Sequence, residues 1–596
     1  MFNNFYGKAL NALLKNKPYR KAVIFSVILI ILNAFKTTLF NYLILPKTGE
    51  DIFGYKFWIS LLVCSIVFSF VLSLKSRYVF LIVYIIQGIY CFTNISYFLY
   101  YHSYLHFLQW ISLFKEAMIS ASHFANPISI QLLVVFIDVP VALYIFFKCF
   151  KQEVKSTRLP ILRNTVIGLS AVILLVIEIF NFANGQSVVH FMDDRYTGET
   201  RIVERYGTVA NGVVNIVQNN TEEKLINQFN YGKNISSPSY VTTSKSTSQQ
   251  PNYVLIQVES MDSNIVKQKY KGSPVMPYLS SLMDNSVYYP YTLSYHKGGG
   301  TSDAEFSVVN SVETLDSFPA IKLSSYSYPN SVVSKLSKAS YNTMAFHGNV
   351  GTFYNRNIAF SKMGFKKFYD ISSMNYDDEG WGAPDDKVFS FAFDKIEKST
   401  RPFYAHVITM TSHGPFESAR HYYNNEAYDD IENEIVKNYY NSFSYVDESI
   451  KDFVEKVRAK YSNTYIIIYG DHTPNVTSQD FAQSSFIDGD KYFEFVPMFL
   501  LTPDNKKYKE DSIVASFLDV SPTILATSGL SYKVKTDGRS LLDTESLASN
   551  IPFKGGSFDR SWLYNTISNH KYVEEEPLWR KYLPSFISSS LIERHK

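Results

Sequence analysis

Four places in this 596-residue chain put carboxylate, imidazole or hydroxyl side chains directly after short apolar runs. Glu259-Ser260 follows residues 253–258, and His347-Gly348-Asn349 follows 342–346. Thr411-Ser412-His413-Gly414 follows 403–410, and Gly470-Asp471-His472-Thr473-Pro474 follows 464–469. A lone histidine in such a place is more often a loop residue making local hydrogen bonds. Four such ends together point to one site. Two carboxylates and an imidazole suit a single divalent ion, and an oxygen-rich set favours Mn²⁺ or Mg²⁺ over a thiolate-type zinc centre. Between the first two runs lies His296-Lys297-Gly298-Gly299-Gly300-Thr301-Ser302-Asp303-Ala304-Glu305-Phe306. Its glycines let the backbone take positive φ and approach a ligand closely. Thr301 or Ser302 is expected to cap a helix whose first turn carries Asp303 and Glu305. A hydroxyl there sits among free backbone N–H groups that bind a phosphoryl oxygen, and a nearby metal lowers its pKa. No Gly-Lys-Ser/Thr follows, so this is not a Walker loop.

The elements that must position these residues read as α/β. The runs at 253–258, 342–346, 403–410, 464–469 and 496–501 are apolar on both faces and alternate with helical stretches at 332–339, 386–397 and 432–457. That pattern predicts a mostly parallel sheet covered by helices on both faces. Ligands bind such sheets beyond the carboxyl ends of the strands, where the candidate residues fall.

The first third of the chain is different. Apolar runs at 22–45, 57–74, 78–100, 128–147 and 162–182 each approach the roughly 20 residues a membrane-crossing helix needs. The first is too long for a cleaved signal core. Lys8, Lys15, Lys17, Arg20, Lys21, Lys75, Arg77, Lys148, Lys151, Lys155, Arg158 and Arg163 flank one side of this set, against Lys47, Lys56 and Lys115 on the other. The bias places the N-terminus in the cytoplasm and everything after the fifth span outside. Lys36 and Asp138 fall near mid-depth and are expected to pair, whereas Glu178 lies near the outer end of its span.

The expected organisation is therefore a five-helix transmembrane domain (1–183), a linker (184–250), and an extracellular catalytic domain (251–596). The linker holds an amphipathic helix at 199–219 and a Ser/Thr-rich tether at 236–250. A mean hydropathy of -0.07 averages these unlike parts. With 57 Lys+Arg against 54 Asp+Glu, the charge does not suit a nucleic-acid binder. Cys64, Cys91 and Cys149, the 3 cysteines, all lie in or at the ends of the spans, so the exterior has no disulfide framework, which suits a bacterial surface. The 46 Phe and 45 Tyr are many, and the spans account for only part of them.

In combination these motifs resemble the lipoteichoic acid synthases, membrane-anchored members of the alkaline phosphatase and sulfatase superfamily, over nearly the whole chain. Glu259 looks like the family's first metal ligand, Gly300 to Phe306 like its nucleophile loop, and Asp471-His472 like its second metal pair. Phe346-His347-Gly348-Asn349 with Phe353-Tyr354-Asn355-Arg356 resembles its substrate-binding stretch, and Ser412-His413-Gly414-Pro415-Phe416 its histidine loop. Asp519 to Leu525 matches a helix of the wider superfamily. The resemblance implies a phosphoglycerol transferase of a bacterial cell membrane, of the Gram-positive type. Thr301 would be the nucleophile, and Glu259, Thr301, Asp471 and His472 would hold Mn²⁺ (or Mg²⁺). His347, Tyr354, Arg356 and His413 would bind substrate. Phosphatidylglycerol would be the donor, a glycolipid or teichoic acid the acceptor, and membrane lipid a partner, with no nucleic acid.

Two departures stand out. Tyr354 occupies a place where the family usually has tryptophan. Thr473-Pro474-Asn475-Val476 replaces a run that normally ends in a substrate-touching serine. Val476 cannot donate that hydrogen bond, which leaves a phosphoethanolamine transferase, or a non-catalytic polymer-binding protein, as alternatives. A formylglycine sulfatase is excluded, because its nucleophile derives from Cys or Ser.

Overall fold

The computed structural model describes residues 159–193, most of 202–229, 239–242, and 250–569 with gaps at 316–317, 324, 377–380, 475, 477–480, 482–492, 531, 537, 544–549 and 554–555. Before residue 159 it describes isolated positions only. The chain divides into two compact units, 1–220 without 116–124 and 221–596 with that segment.

In the first unit, α1 (Leu159–Ala183) is the one helix among the described residues long and apolar enough to cross a membrane, over Val166–Ala183. Most of the four earlier runs, and almost all the basic residues that would set orientation, lie outside the described residues. Five spans are thus an expectation, of which one helix is seen. Of the positions described in those runs, 57–59 and 84–90 are helical. The expected pairing of Lys36 with Asp138 is present: Nζ lies 2.8 Å from Oδ2, and both side chains are buried. The Tyr84 hydroxyl also donates to Asp138, and Lys36 lies over the Tyr84 ring.

A buried ion pair is weak evidence of stability, but removing one partner strands the other charge. Lys36→Met and Asp138→Leu should therefore each lower the yield of folded protein, while the double variant recovers much of it. A double variant no better than the worse single one would contradict the coupling.

At the other end of α1, Glu178 accepts hydrogen bonds from the Tyr206 hydroxyl, Asn181 and the backbone N–H of Val188. This ties the start of α2 (Val188–Asp193) and the segment before α3 (Thr208–Gln218) to the end of α1. Ile202, Tyr206 and Ala210 bury one face against Phe191 and Ile59.

In the second unit, β1 (Ser239–Thr242) lies within the Ser/Thr-rich stretch and pairs antiparallel with Tyr532–Lys535. The main sheet has nine strands. Its principal members in chain order are β2 (Asn252–Val258), β3 (Val287–Ser294), β4 (Asn342–His347), β5 (Lys367–Tyr369), β6 (Phe403–Ile408), β7 (Thr464–Gly470) and β8 (Glu494–Leu501). Across the sheet they run β3, β8, β7, β2, β6, β4, β5. All neighbours from β7 to β5 are parallel, but β8 is antiparallel to both β3 and β7. The sheet is mixed: most of its pairings are parallel, as expected, and β8 is the antiparallel exception. β3 was not expected, because Tyr residues and Pro290 interrupt its apolar pattern. Pro290 and Pro497 sit where the β3–β8 register shifts, a bulge where a missing N–H costs no ladder bond.

Alternation along β2 divides the core. Val254, Ile256 and Val258 pack with Val388, Phe389 and Ala392 of α7 (Asp385–Glu397) and with Phe443, Val446 and Ile450 of α8 (Glu434–Lys460). On the other face Tyr253 donates to the Ile524 carbonyl of α9 (Val520–Thr527), and Gln257 donates to the Thr301 carbonyl at the start of α4 (Thr301–Asn310). Between α4 and α7 lie α5 (Val332–Lys338), α6 (Arg356–Met363) and the short helix Ile371–Met374. Aromatic residues recur in this interior, as in the stacked pairs Tyr288–Phe499 and Phe346–Tyr369.

A polar chain crosses the second face: His406 Nε2 is 3.0 Å from the Tyr469 hydroxyl, which donates to Gln257 Oε1 at 2.9 Å. Burial holds the His406 imidazole neutral, pulling its pKa down from 6.5 to about 3. Such a group stabilises the fold fully above its unfolded pKa, and the effect is lost as pH falls toward the folded value. Between pH 7 and 5 the domain should lose about 2 kcal/mol from this residue alone. Unfolding midpoints at the two pH values check this, and His406→Gln should flatten the dependence by about one proton.

Candidate active site

Two strand ends and one helix start meet at the carboxyl edge of the sheet. Glu259 follows β2, Asp471-His472 follow β7, and Thr301 opens α4. The Thr301 hydroxyl donates to Glu259 Oε2 at 3.0 Å. His472 Nε2 lies 3.2 Å from Glu259 Oε1 and 3.6 Å from Asp471 Oδ2. Glu259, Thr301 and the adjacent pair Asp471-His472 lie from 42 to 213 positions apart in the sequence, yet the fold brings them together.

The local backbone explains the precision. Gly300, not Thr301 or Ser302, is the N-cap of α4, with φ 55 and no side-chain cap. Thr301 is thus the first helical residue, its hydroxyl beside the open end of the helix and partly exposed. Ser302 turns away, donating to the Gly299 carbonyl at 2.7 Å. Asp303 Oδ2 accepts from the N–H groups of Lys297 and Gly299, both at 2.9 Å, and so closes the glycine loop. A Cβ on Gly470 would lie 2.2 Å from the Met261 carbonyl oxygen, so only glycine lets Asp471 leave the sheet there. Ser260 takes a left-handed φ of 55, and its N–H donates to Asp471 Oδ1 at 2.8 Å. A strained non-glycine residue next to a ligand candidate is typical of functional positions.

The electrostatics fit a cation. Burial raises the pKa of Glu259, but the imidazoles of His472 and His413 outweigh it and hold the carboxyl well below its usual range. Burial and the Glu259 charge push Asp471 well above its ordinary value. Burial opposes charge on His472, yet Asp471 and Glu259 prevail and push it up to about 10. Asp471 Oδ2 is buried with no hydrogen-bond partner among the described residues. Such an orphan acceptor, among a second carboxylate, an imidazole and a hydroxyl, matches the donor set of a divalent metal.

The residues expected to bind substrate are placed variously. His347 ends β4 and is buried; burial first, and then Arg356, lower its pKa well below 6.5. Arg356 opens α6 and grips Glu305 of α4 through Nε at 3.0 Å and Nη2 at 2.7 Å. Its Nη1 is buried with no hydrogen-bond partner among the described residues. Tyr354 adopts φ 53, and its ring centroid lies 5.5 Å from the Arg356 guanidinium carbon. His413 Nδ1 donates to the Gly414 carbonyl at 2.8 Å, and its ring stacks on Trp381 with centroids 3.8 Å apart. Val476 packs against the apolar core.

Several participants were not foreseen. Trp381 precedes Gly382, where a Cβ would meet the Gly348 carbonyl oxygen at 2.4 Å, so this segment docks on the His347-Gly348-Asn349 turn. Trp381 thus stacks on His413 from the segment ahead of α7. A lone Trp between glycines ahead of a helix was the available signal. Gln257, Tyr469 and His406 lie inside strands and carried none.

Residues 251–530 match the family model described as Sulfatase, and the chain carries a sulfatase-family domain. Within that class it is a homologue of proteins named lipoteichoic acid synthase. It is 27% identical to that of Staphylococcus saprophyticus over 482 residues, 75% of this chain and 72% of the relative. Lipoteichoic acid synthase 2 of Bacillus subtilis is 30% identical over 336 residues, 54% of this chain and 51% of the relative. The matches thus span from about half to about seven-tenths of these relatives' lengths. Among solved structures, the integral membrane protein lipooligosaccharide phosphoethanolamine transferase A (EptA) of Neisseria meningitidis shares the fold. Its TM-score is 0.56 at 15% identity, covering 84% of this chain and 95% of that one.

Proposed function

We propose that this chain is a metal-dependent transferase that moves glycerol phosphate from phosphatidylglycerol, through a phosphothreonine-type intermediate, to a lipoteichoic acid chain or another cell-surface glycopolymer. The observation that carries the reading is the Thr301 hydroxyl at the open N-terminus of α4, hydrogen-bonded to Glu259 and grouped with Asp471 and His472. The lipoteichoic acid synthase homologues support the glycerol head group.

Glu259, Thr301, Asp471 and His472 would hold the ion. Three oxygens and one imidazole favour Mn²⁺, with Mg²⁺ next. When bound, the ion supplies positive charge that favours the Thr301 alkoxide and screens the phosphate. The rest is the work of side chains. The Thr301 oxygen forms a bond to phosphorus as the bond from phosphorus to the diacylglycerol oxygen breaks. The threonine proton ends on the diacylglycerol hydroxyl. A terminal hydroxyl of the acceptor then displaces Thr301, returning it to the free form. The positive end of the α4 dipole would lie beside the phosphoryl oxygens, and Arg356 Nη1, His347, Tyr354 and His413 would orient phosphate and glycerol.

The charge bias of the N-terminal connections and the apolar helix α1 support a multi-pass membrane protein with a cytoplasmic N-terminus and an external catalytic domain. A lipid donor explains why the catalytic domain shares a chain with apolar spans.

The direct test supplies the detergent-solubilised chain with Mn²⁺ and labelled phosphatidylglycerol or phosphatidylethanolamine. Diacylglycerol should be released from the former. Preferential release from phosphatidylethanolamine would replace the head-group assignment.

A further inference from the structure

We propose that Glu494 and His296 are positioning residues that fix the ligand geometry of His472, an inference that rests on the metal centre proposed above. Glu494 belongs to none of the motifs in the sequence, and His296 only opens the glycine-rich stretch ahead of Thr301. Glu494 is the first residue of β8 and pairs in register with Ser294, the last of β3. It therefore stands between two loops: the one after β3, which carries His296, and the turn after β7, which carries Asp471-His472-Thr473.

Its carboxylate ties both. Oε2 accepts from the Thr473 N–H and the Thr473 hydroxyl, each at 2.9 Å. Oε1 lies 2.9 Å from His296 Nδ1. The His296 ring in turn lies flat on the His472 ring, with centroids 4.2 Å apart and planes 14° from parallel. Thr473 matters because its carbonyl is 2.9 Å from His472 Nδ1. A carbonyl only accepts, so Nδ1 carries the hydrogen and Nε2 is the nitrogen turned toward Glu259 and Asp471. Ser294 completes the frame by donating to the Asp471 carbonyl at 2.6 Å. Glu494 thus governs the tautomer and tilt of His472 through Thr473 and limits ring rotation through His296.

The same residues form a second candidate cluster, since His296, His472 and Glu494 offer ligand atoms close together. The hydrogen bonds argue for positioning over a second ion, because three donors already engage the two oxygens of Glu494. Groups that orient a metal ligand in this way typically change metal affinity by about 10- to 100-fold when removed.

The test measures Mn²⁺ binding to the full detergent-solubilised chain by electron paramagnetic resonance, for wild type, Glu494→Ala, Glu494→Gln and His296→Ala. Circular dichroism and the unfolding midpoint verify that each variant is folded. Glu494→Ala should bind Mn²⁺ about 10- to 100-fold more weakly. Glu494→Gln, which keeps an acceptor for Thr473, should recover part of the loss, and every form should saturate at a single ion. Folded variants with wild-type affinity, or two ions per wild-type chain, would overturn the inference while leaving the transferase reading intact. A wild-type chain that binds no Mn²⁺ would overturn the metal centre and this inference with it.

Discussion

Thr301→Ala should lower transfer by on the order of 10⁴-fold or more, because a lost nucleophile is not replaced by orientation alone. The neighbouring hydroxyl cannot substitute: Ser302 is buried and donates to the Gly299 carbonyl. The fold should be unaffected. Thr301 is only partly buried, Gly300 rather than Thr301 caps the helix, and Glu259 retains the Ser260 hydroxyl as a donor. Thr301→Ser restores a hydroxyl at the same helix position and should recover measurable turnover. Steady-state diacylglycerol release, together with the unfolding midpoint, separates these outcomes. A Thr301→Ala chain with near wild-type activity would remove Thr301 from the chemistry.

The second large effect concerns Arg356 and Glu305. Both side chains are almost completely buried, and their contact is bidentate. Burial raises the Glu305 pKa, and Arg356 offsets only part of the rise. Arg356→Ala would leave an uncompensated carboxyl one helical turn beyond Thr301, at a cost of about 3–5 kcal/mol in stability. Glu305→Ala should cost a similar amount by stranding the guanidinium. The double variant Glu305→Leu/Arg356→Met removes both charges and should regain much of the stability, as seen in chemical denaturation. Activity should not return with it, because Arg356 Nη1 is the part of the fork left for a phosphate oxygen. Recovery of both stability and activity would reduce Arg356 to a structural role.

These two predictions draw on different amounts of sequence information. The strands at 252–258, 342–347, 403–408 and 464–470 were legible because apolar residues on both faces mark strands buried between helices. Their ends were legible because Glu, His and Asp there are costly unless they have work to do. The direction of β8 was not, since an apolar run reads the same in either orientation. β3 escaped notice because its tyrosines and Pro290 hide a strand that depends on β8 for its bulge. The candidate ligand set followed from the resemblance of the motifs, but the contacts that support it did not. Glu305 and Arg356 lie 51 positions apart, and Thr473 and Glu494 lie 21 apart. Such contacts exist only once the sheet has formed. Arg356 shows the cost of reading types alone: expected as a free phosphate fork, it spends two of its three nitrogens on Glu305.

The central claim is covalent transfer through Thr301, and peptide mass spectrometry tests it most directly. The full chain is incubated with Mn²⁺ and phosphatidylglycerol without acceptor, then quenched and digested. The account predicts a glycerophosphoryl group on the peptide containing Thr301, absent from Thr301→Ala. An unmodified Thr301 in a chain that binds metal and releases diacylglycerol would contradict it.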